Sequence, residues 1–220
     1  MYLYQIIGEP NYKQIPEKYQ KMWKTMYNDL EYTICDDHMS ESFLKTFFSI
    51  RYLEAFYKGN TKWKADLIRF CLLSKHSALY VDCDMTPERN IFENIPNEVD
   101  FVSSIGAFYY TLGKKELHIG ILFAKTPEPL LKEFMDIKTP EVVSAGVPYS
   151  VNIAGLYSYF CKCFEVDILE PFKIYRYNGR NYYFLKEVEL RENGKRVFSI
   201  VNKQNQTIIN SQALKHGKFR

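Results

Sequence analysis

An α/β fold, a mixed central sheet flanked by helices and completed by a C-terminal β-meander, is predicted by two features of this 220-residue sequence. Up to residue 165, short apolar runs alternate with longer segments whose apolar residues recur at helical spacing. Beyond that point, strand-like runs are joined at Asn178-Gly179 and Asn193-Gly194, dipeptides that favour tight hairpin turns. The whole chain, 1–220, reads as a single domain: an α/β core over 1–165 and a β-rich extension over 166–220.

The elements follow in order. Tyr2–Ile7 is a short strand. Pro16–Tyr27 is a helix with proline in its first turn, where a missing N–H is harmless. Tyr32–Cys35 is a second strand, closed by Asp36-Asp37. From 41 to 57, Phe43, Phe47, Ile50, Leu53 and Phe56 keep helical spacing until Gly59-Asn60 stop it. Helix 64–74 and apolar strand 78–83 come next, and Thr86-Pro87 turn the chain away. Strands near 99–105 and 117–124 precede helices 128–137 and 149–163. Phe172–Tyr177, Tyr182–Leu190 and Arg196–Val201 form the meander.

Composition narrows the function classes. With 46% hydrophobic and 25% charged residues, the chain buries a substantial core and is not disordered. A net charge of +3 is too mild for a nucleic-acid binder, though it favours an anionic ligand or peripheral contact with an anionic membrane face. No apolar run reaches the ~18 residues of a membrane span, and no signal peptide precedes the first strand. The five cysteines (35, 71, 83, 161, 163) lack zinc spacing and sit in apolar contexts, as reduced core residues do. The expected setting is the cytoplasm of a bacterium or of a virus-infected host cell.

The chemistry concentrates between 64 and 84. Asp66 and Arg69 stand at i and i+3, so they share one helical face and can grip the same object. Asp82 and Asp84 are two residues apart at the end of an apolar strand, so on an extended backbone they point the same way. Aligned carboxylates repel unless a cation lies between them, and oxygen ligands of this type suit Mg²⁺ or Mn²⁺ shared with phosphate. Open α/β sheets bind ligands at the carboxyl ends of their strands, which is where this pair falls.

These residues carry a resemblance. Ala65, Asp66, Leu67-Ile68, Arg69, Phe70 and then Tyr80-Val81-Asp82-Cys83-Asp84 resemble the DXD-containing sugar-binding region of the Och1-like glycosyltransferases (family 32), itself similar to the core of the clostridial glucosylating toxins. The family usually has Gly-Gly before the strand; this chain has Ser77-Ala78. Tyr4-Gln5-Ile6-Ile7-Gly8 and Ile15-Pro16-Glu17-Lys18-Tyr19 resemble its opening strand, base-binding loop and first helix, without the common loop Trp. His118–Ala124 with Pro129-Leu130-Leu131 resembles a later strand and helix, and Gly146-Val147-Pro148-Tyr149 a turn opening a late helix. His216-Gly217 stands where the family often has a His-rich segment near the metal.

The resemblance implies a GT-A-like fold and a metal-dependent hexosyltransferase acting with retention on a UDP- or GDP-sugar donor. Its implied cofactor is Mn²⁺ or Mg²⁺, and its acceptor a glycan, a lipid-linked intermediate or a protein. By it, Asp84 ligates the metal, Asp82 serves the ribose and the metal's water shell, and His216 is a further metal candidate. Asp66 and Arg69 bind sugar hydroxyls, Ile6, Ile7 and Gly8 receive the base, and Tyr80 borders the nucleotide. Asp66, Arg69 and Asp84 are the candidate catalytic residues.

Other readings of the same residues stay open. Asp66–Arg69 also fits an ordinary intrahelical ion pair worth ~0.2–0.5 kcal/mol. Asp36-Asp37 fits a solvated strand end, and His38, His76 and His118 share no ligand spacing. Asp82-Cys83-Asp84-Met85-Thr86 also resembles the first motif of haloacid dehalogenase-type phosphatases, with Asp82 as nucleophile. A catalytically inactive sugar- or protein-binding relative is the third class.

Overall fold

The computed structural model describes residues 1–8, 15–106, 116–145, 150–192 and 195–211. Six helices and ten strands occupy them: β1 (Tyr2–Ile6), α1 (Glu17–Met26), β2 (Glu31–Cys35), α2 (Asp37–Phe47), α3 (Ile50–Lys58), α4 (Thr61–Leu73), β3 (Ala78–Val81), β4 (Thr86–Pro87), β5 (Phe101–Ile105), β6 (Leu117–Ala124), α5 (Pro129–Ala145), α6 (Ser150–Cys163), β7 (Ile174–Tyr177), β8 (Arg180–Glu192), β9 (Lys195–Val201) and β10 (Thr207–Ser211). The mixed α/β architecture is the one expected.

All ten strands join one sheet, in the order β2-β1-β3-β6-β5-β8-β9-β10-β4, with β7 beside β8. β2, β1 and β3 are parallel, β6 is antiparallel to both β3 and β5, and β8 returns parallel to β5. The meander therefore continues the central sheet instead of forming a separate layer. The sheet must also curl. β3 and β4 lie six strand spacings apart along this order, roughly 29 Å if flat. Only residues 82–85 connect them, a reach of at most ~18 Å.

Each face of the sheet has its own core. One packs Tyr4, Tyr80, Phe101, Leu122 and Phe184 against Leu67, Phe70, Phe134 and Phe160 of the helices. The other packs Leu3, Val81, Ile121, Leu185 and Ile200 against Trp23 and Tyr27 of α1 with Met85 and Ile91. α4 is buried nearly all round, from Asp66 through Leu73, so even its polar residues lie inside.

Three expectations are corrected. The single helix over 41–57 is two, because Phe48 is extended (φ −131°, ψ 164°) and Ser49 starts a new helix. Phe47 and Ile50, which seemed to mark its buried face, are exposed. Asp36-Asp37 is a helix start, with the Asp36 side chain accepting from Met39 N at 2.8 Å. Thr86-Pro87 does not simply turn away: it is an edge strand pairing with β10, which sequence reasoning did not foresee. Asn178 and Gly179 both take positive φ, 50° and 75°, as a tight hairpin requires. Asn193-Gly194 and Gly146–Tyr149 lie outside the described residues.

Candidate functional site

The site forms where α4 meets the end of β3. The Asn60 side chain caps α4 by accepting from Trp63 N at 3.0 Å, which starts the helix earlier than its apolar pattern does. Burial of the helix then forces Asp66 and Arg69 to find partners inside the protein. Arg69 supplies most of them. Its Nη2 lies 3.2 Å from Asp66 Oδ1 and its Nη1 3.2 Å from Asp82 Oδ1, while Nη1 also donates to the Ile119 carbonyl at 2.8 Å. The guanidinium stacks over the Tyr80 ring at 4.5 Å, and the Tyr80 hydroxyl donates to Asp82 Oδ1 at 2.5 Å. Helix pair and strand-end carboxylate are thus one unit, and the isolated intrahelical ion pair is ruled out.

One guanidinium shared between two carboxylates leaves Asp66 under-compensated. Its side chain is 5% exposed, and Oδ2 is buried without a hydrogen-bond partner among the described residues. Burial raises its pKa from 3.8 to about 7, against the opposing pull of Arg69 and reinforced by Asp82. The folded protein then holds a proton between about pH 4 and 7 that the unfolded chain releases. Stability should fall as pH rises through that window. Asp66→Asn removes the titration, so the fall in melting temperature from pH 5 to 8 should shrink by roughly 4 °C or more. Equal falls in both proteins, followed by calorimetry, would exclude Asp66 as the source.

The backbone of residues 82–85 is a turn, not an extended strand, so alternation does not set the directions of Asp82 and Asp84. Met85 N donates to Asp82 O at 3.2 Å, and Asp82 N donates to Gly120 O at 2.8 Å. Gln5 Nε2 reaches Asp82 O at 3.3 Å, and Trp23 Nε1 donates to Met85 O at 3.1 Å. The turn is held from β1, β6 and α1 together. Asp84 is half-buried within it, beside Cys83, whose thiol burial pushes up to about 12.

The remaining candidates spread around this centre. Ile6, Ile7 and Gly8 close β1, next to β3 in the sheet. A Cβ on Gly8 would meet Thr61 Cγ2 at 2.7 Å, so the loop backbone lies close against the start of α4. Tyr80 is buried and acts through Asp82. Ser77-Ala78, at the place where the resembled sequences have Gly-Gly, take no positive φ and need no glycine. His216 lies outside the described residues. Spacing gave no hint of His118 and Glu187, which sit at the same edge, because their proximity depends on strand order.

Oxygen donors on a fixed turn, with a buried unpaired carboxyl oxygen beside them, suit a hard cation and a hydroxylated ligand. Residues 15–102, which include Asp66, Arg69, Asp82 and Asp84, match a known family model. This segment is similar to the glycosyltransferase sugar-binding regions containing a DXD motif. The one Asp-X-Asp in residues 15–102 is Asp82-Cys83-Asp84. A solved structure titled "crystal structure of a glycosyltransferase involved in the glycosylation of the major capsid of PBCV-1" is similar at 14% identity, covering 84% of this chain and 81% of that one, with a TM-score of 0.41. No curated protein matches the chain. Among the described residues, no helix is long and apolar enough to cross a membrane.

Proposed function

We propose that this chain moves a hexose, with retention, from a nucleotide-diphosphate donor (UDP- or GDP-sugar) to a hydroxyl of a glycan, lipid-linked or protein acceptor. The observation that carries this reading is Arg69, which binds the helix carboxylate and the first DXD carboxylate at once. Groups for the sugar and for the diphosphate are thereby held at a fixed separation, as a ligand spanning both requires.

Ile6, Ile7 and Gly8 receive the base, and Asp66 Oδ2 and the Arg69 guanidinium take sugar hydroxyls. Asp84, with Asp82 assisting, would hold Mn²⁺ or Mg²⁺. A metal bound there supplies a Lewis acid that offsets the charge on the departing diphosphate. Tyr80 keeps Asp82 oriented, and the low-dielectric floor under Arg69 strengthens every polar contact made above it. Use of Asp82 as a phosphatase nucleophile is disfavoured, since its Oδ1 is engaged by both Arg69 and Tyr80. The five free cysteines support a cytosol-like setting for the reaction.

A thermal-shift panel of UDP, GDP and their hexose conjugates, with and without Mn²⁺, tests the proposal. Donor binding at 100 times its dissociation constant should add about 2.7 kcal/mol of stability, and only with the metal present. No shift with any of these ligands would remove the transferase reading.

A further inference from the structure

β1, β3 and β6 are successive neighbours in the sheet. Along that edge the proposed base contacts come from β1 and the diphosphate contacts from β3, so a donor laid across it delivers its sugar to β6. Val81 pairs with Ile121 in antiparallel register, which puts His118 three residues further out, beyond the DXD turn. Gly120, lacking a Cβ, lets the Asp82 and His118 side chains close in on its backbone, with Met85 Cε 2.6 Å from where a Cβ would stand. A Cβ there would lie 2.8 Å from Asp82 Oδ2 and 2.9 Å from His118 Nε2, so carboxylate and imidazole border one point.

The other ring nitrogen is anchored. Nδ1 lies 3.6 Å from Glu187 Oε1 and 3.5 Å from Ser104 Oγ. Glu187 comes from β8, is 5% exposed, and its Oε2 borders Gly106. A carboxylate facing Nδ1 favours the tautomer with its proton there and leaves Nε2 as an acceptor. The ring is 24% exposed, and among the described residues Nε2 has no hydrogen-bond partner.

Resting on the donor reading above, we propose that His118, positioned by Glu187, selects the sugar. Its Nε2 accepts a hydrogen bond from one hydroxyl of the bound hexose. A hexose with that hydroxyl inverted leaves Nε2 unpaired in a half-buried site, which a pocket built for hydrogen bonding penalises strongly.

Calorimetry with Mn²⁺ present tests this on UDP, GDP, UDP-glucose, UDP-galactose and GDP-mannose. The wild type should bind one sugar conjugate better than its epimer. His118→Ala should lose about tenfold more affinity for the preferred conjugate than for the matching bare diphosphate, and the epimer ranking should flatten. His118→Gln, whose amide reaches the same place, should recover part of the difference, and Glu187→Gln should show a smaller loss on the same sugar. An unchanged ranking in His118→Ala, or an equal loss on sugar conjugate and diphosphate, overturns the proposal while leaving the donor reading intact. If the wild type binds neither diphosphates nor conjugates, the donor reading fails and this one with it.

Discussion

At pH 8, Arg69→Ala should destabilise the protein by about 3–5 kcal/mol, the usual result of stripping the counter-ion from a buried carboxylate. Arg69 is 6% exposed and is the shared partner of Asp66 and Asp82, so its loss strands a buried carboxyl and frees the DXD turn from α4. The deficit should narrow in acid. Asp66 already titrates near 7, and without Arg69 its pKa climbs further, so at pH 5 it is neutral and needs no cation. Urea unfolding of wild type and variant at pH 5 and pH 8 measures this directly. A deficit that is small, or the same at both pH values, would mean that Arg69 does not neutralise this pair.

Asp84→Ala should instead spare the fold and remove the chemistry. Asp84 is half-buried in a turn whose backbone is fixed by Gly120, Gln5 and Trp23. We expect a melting temperature within ~2 °C of wild type and a drop of at least ~100-fold in sugar transfer, or in donor hydrolysis where no acceptor is supplied. Mn²⁺-dependent stabilisation by the diphosphate should vanish as well. Unchanged turnover would remove Asp84 from the proposed metal-binding role.

What could be read in the sequence was local. Helix α4, strand β3 and the Asn178-Gly179 hairpin declare themselves through spacing and turn chemistry within a few residues. The Asp66/Arg69 and Asp82/Asp84 pairs were visible for the same reason. What was hidden depended on contacts between distant segments. Apolar spacing runs on through Phe48-Ser49, so nothing short-range announced the break between α2 and α3. β10, with only Ile208 and Ile209 as its apolar residues, is a strand because β9 and β4 lie on either side of it. The direction of the DXD carboxylates was inferred from strand alternation, but the chain leaves the strand at Val81 and tertiary hydrogen bonds set the turn. His118 and Glu187 are 69 positions apart in sequence and meet only because β6, β5 and β8 are neighbours.

The pairing of β4 with β10 links the DXD turn to a distant part of the chain. Asn210 faces Thr86 in the ladder, Glu88 N and Arg89 N both donate to Ile208 O at 2.8 and 3.0 Å, and Asn210 Nδ2 donates to Glu88 Oε1 at 2.6 Å. The segment leaving the DXD is therefore moored to a strand laid down more than a hundred residues later. A nascent chain acquires Asp82 and Asp84 long before it acquires this buttress, so the turn that carries them gains its support only once residues 207–211 have been made.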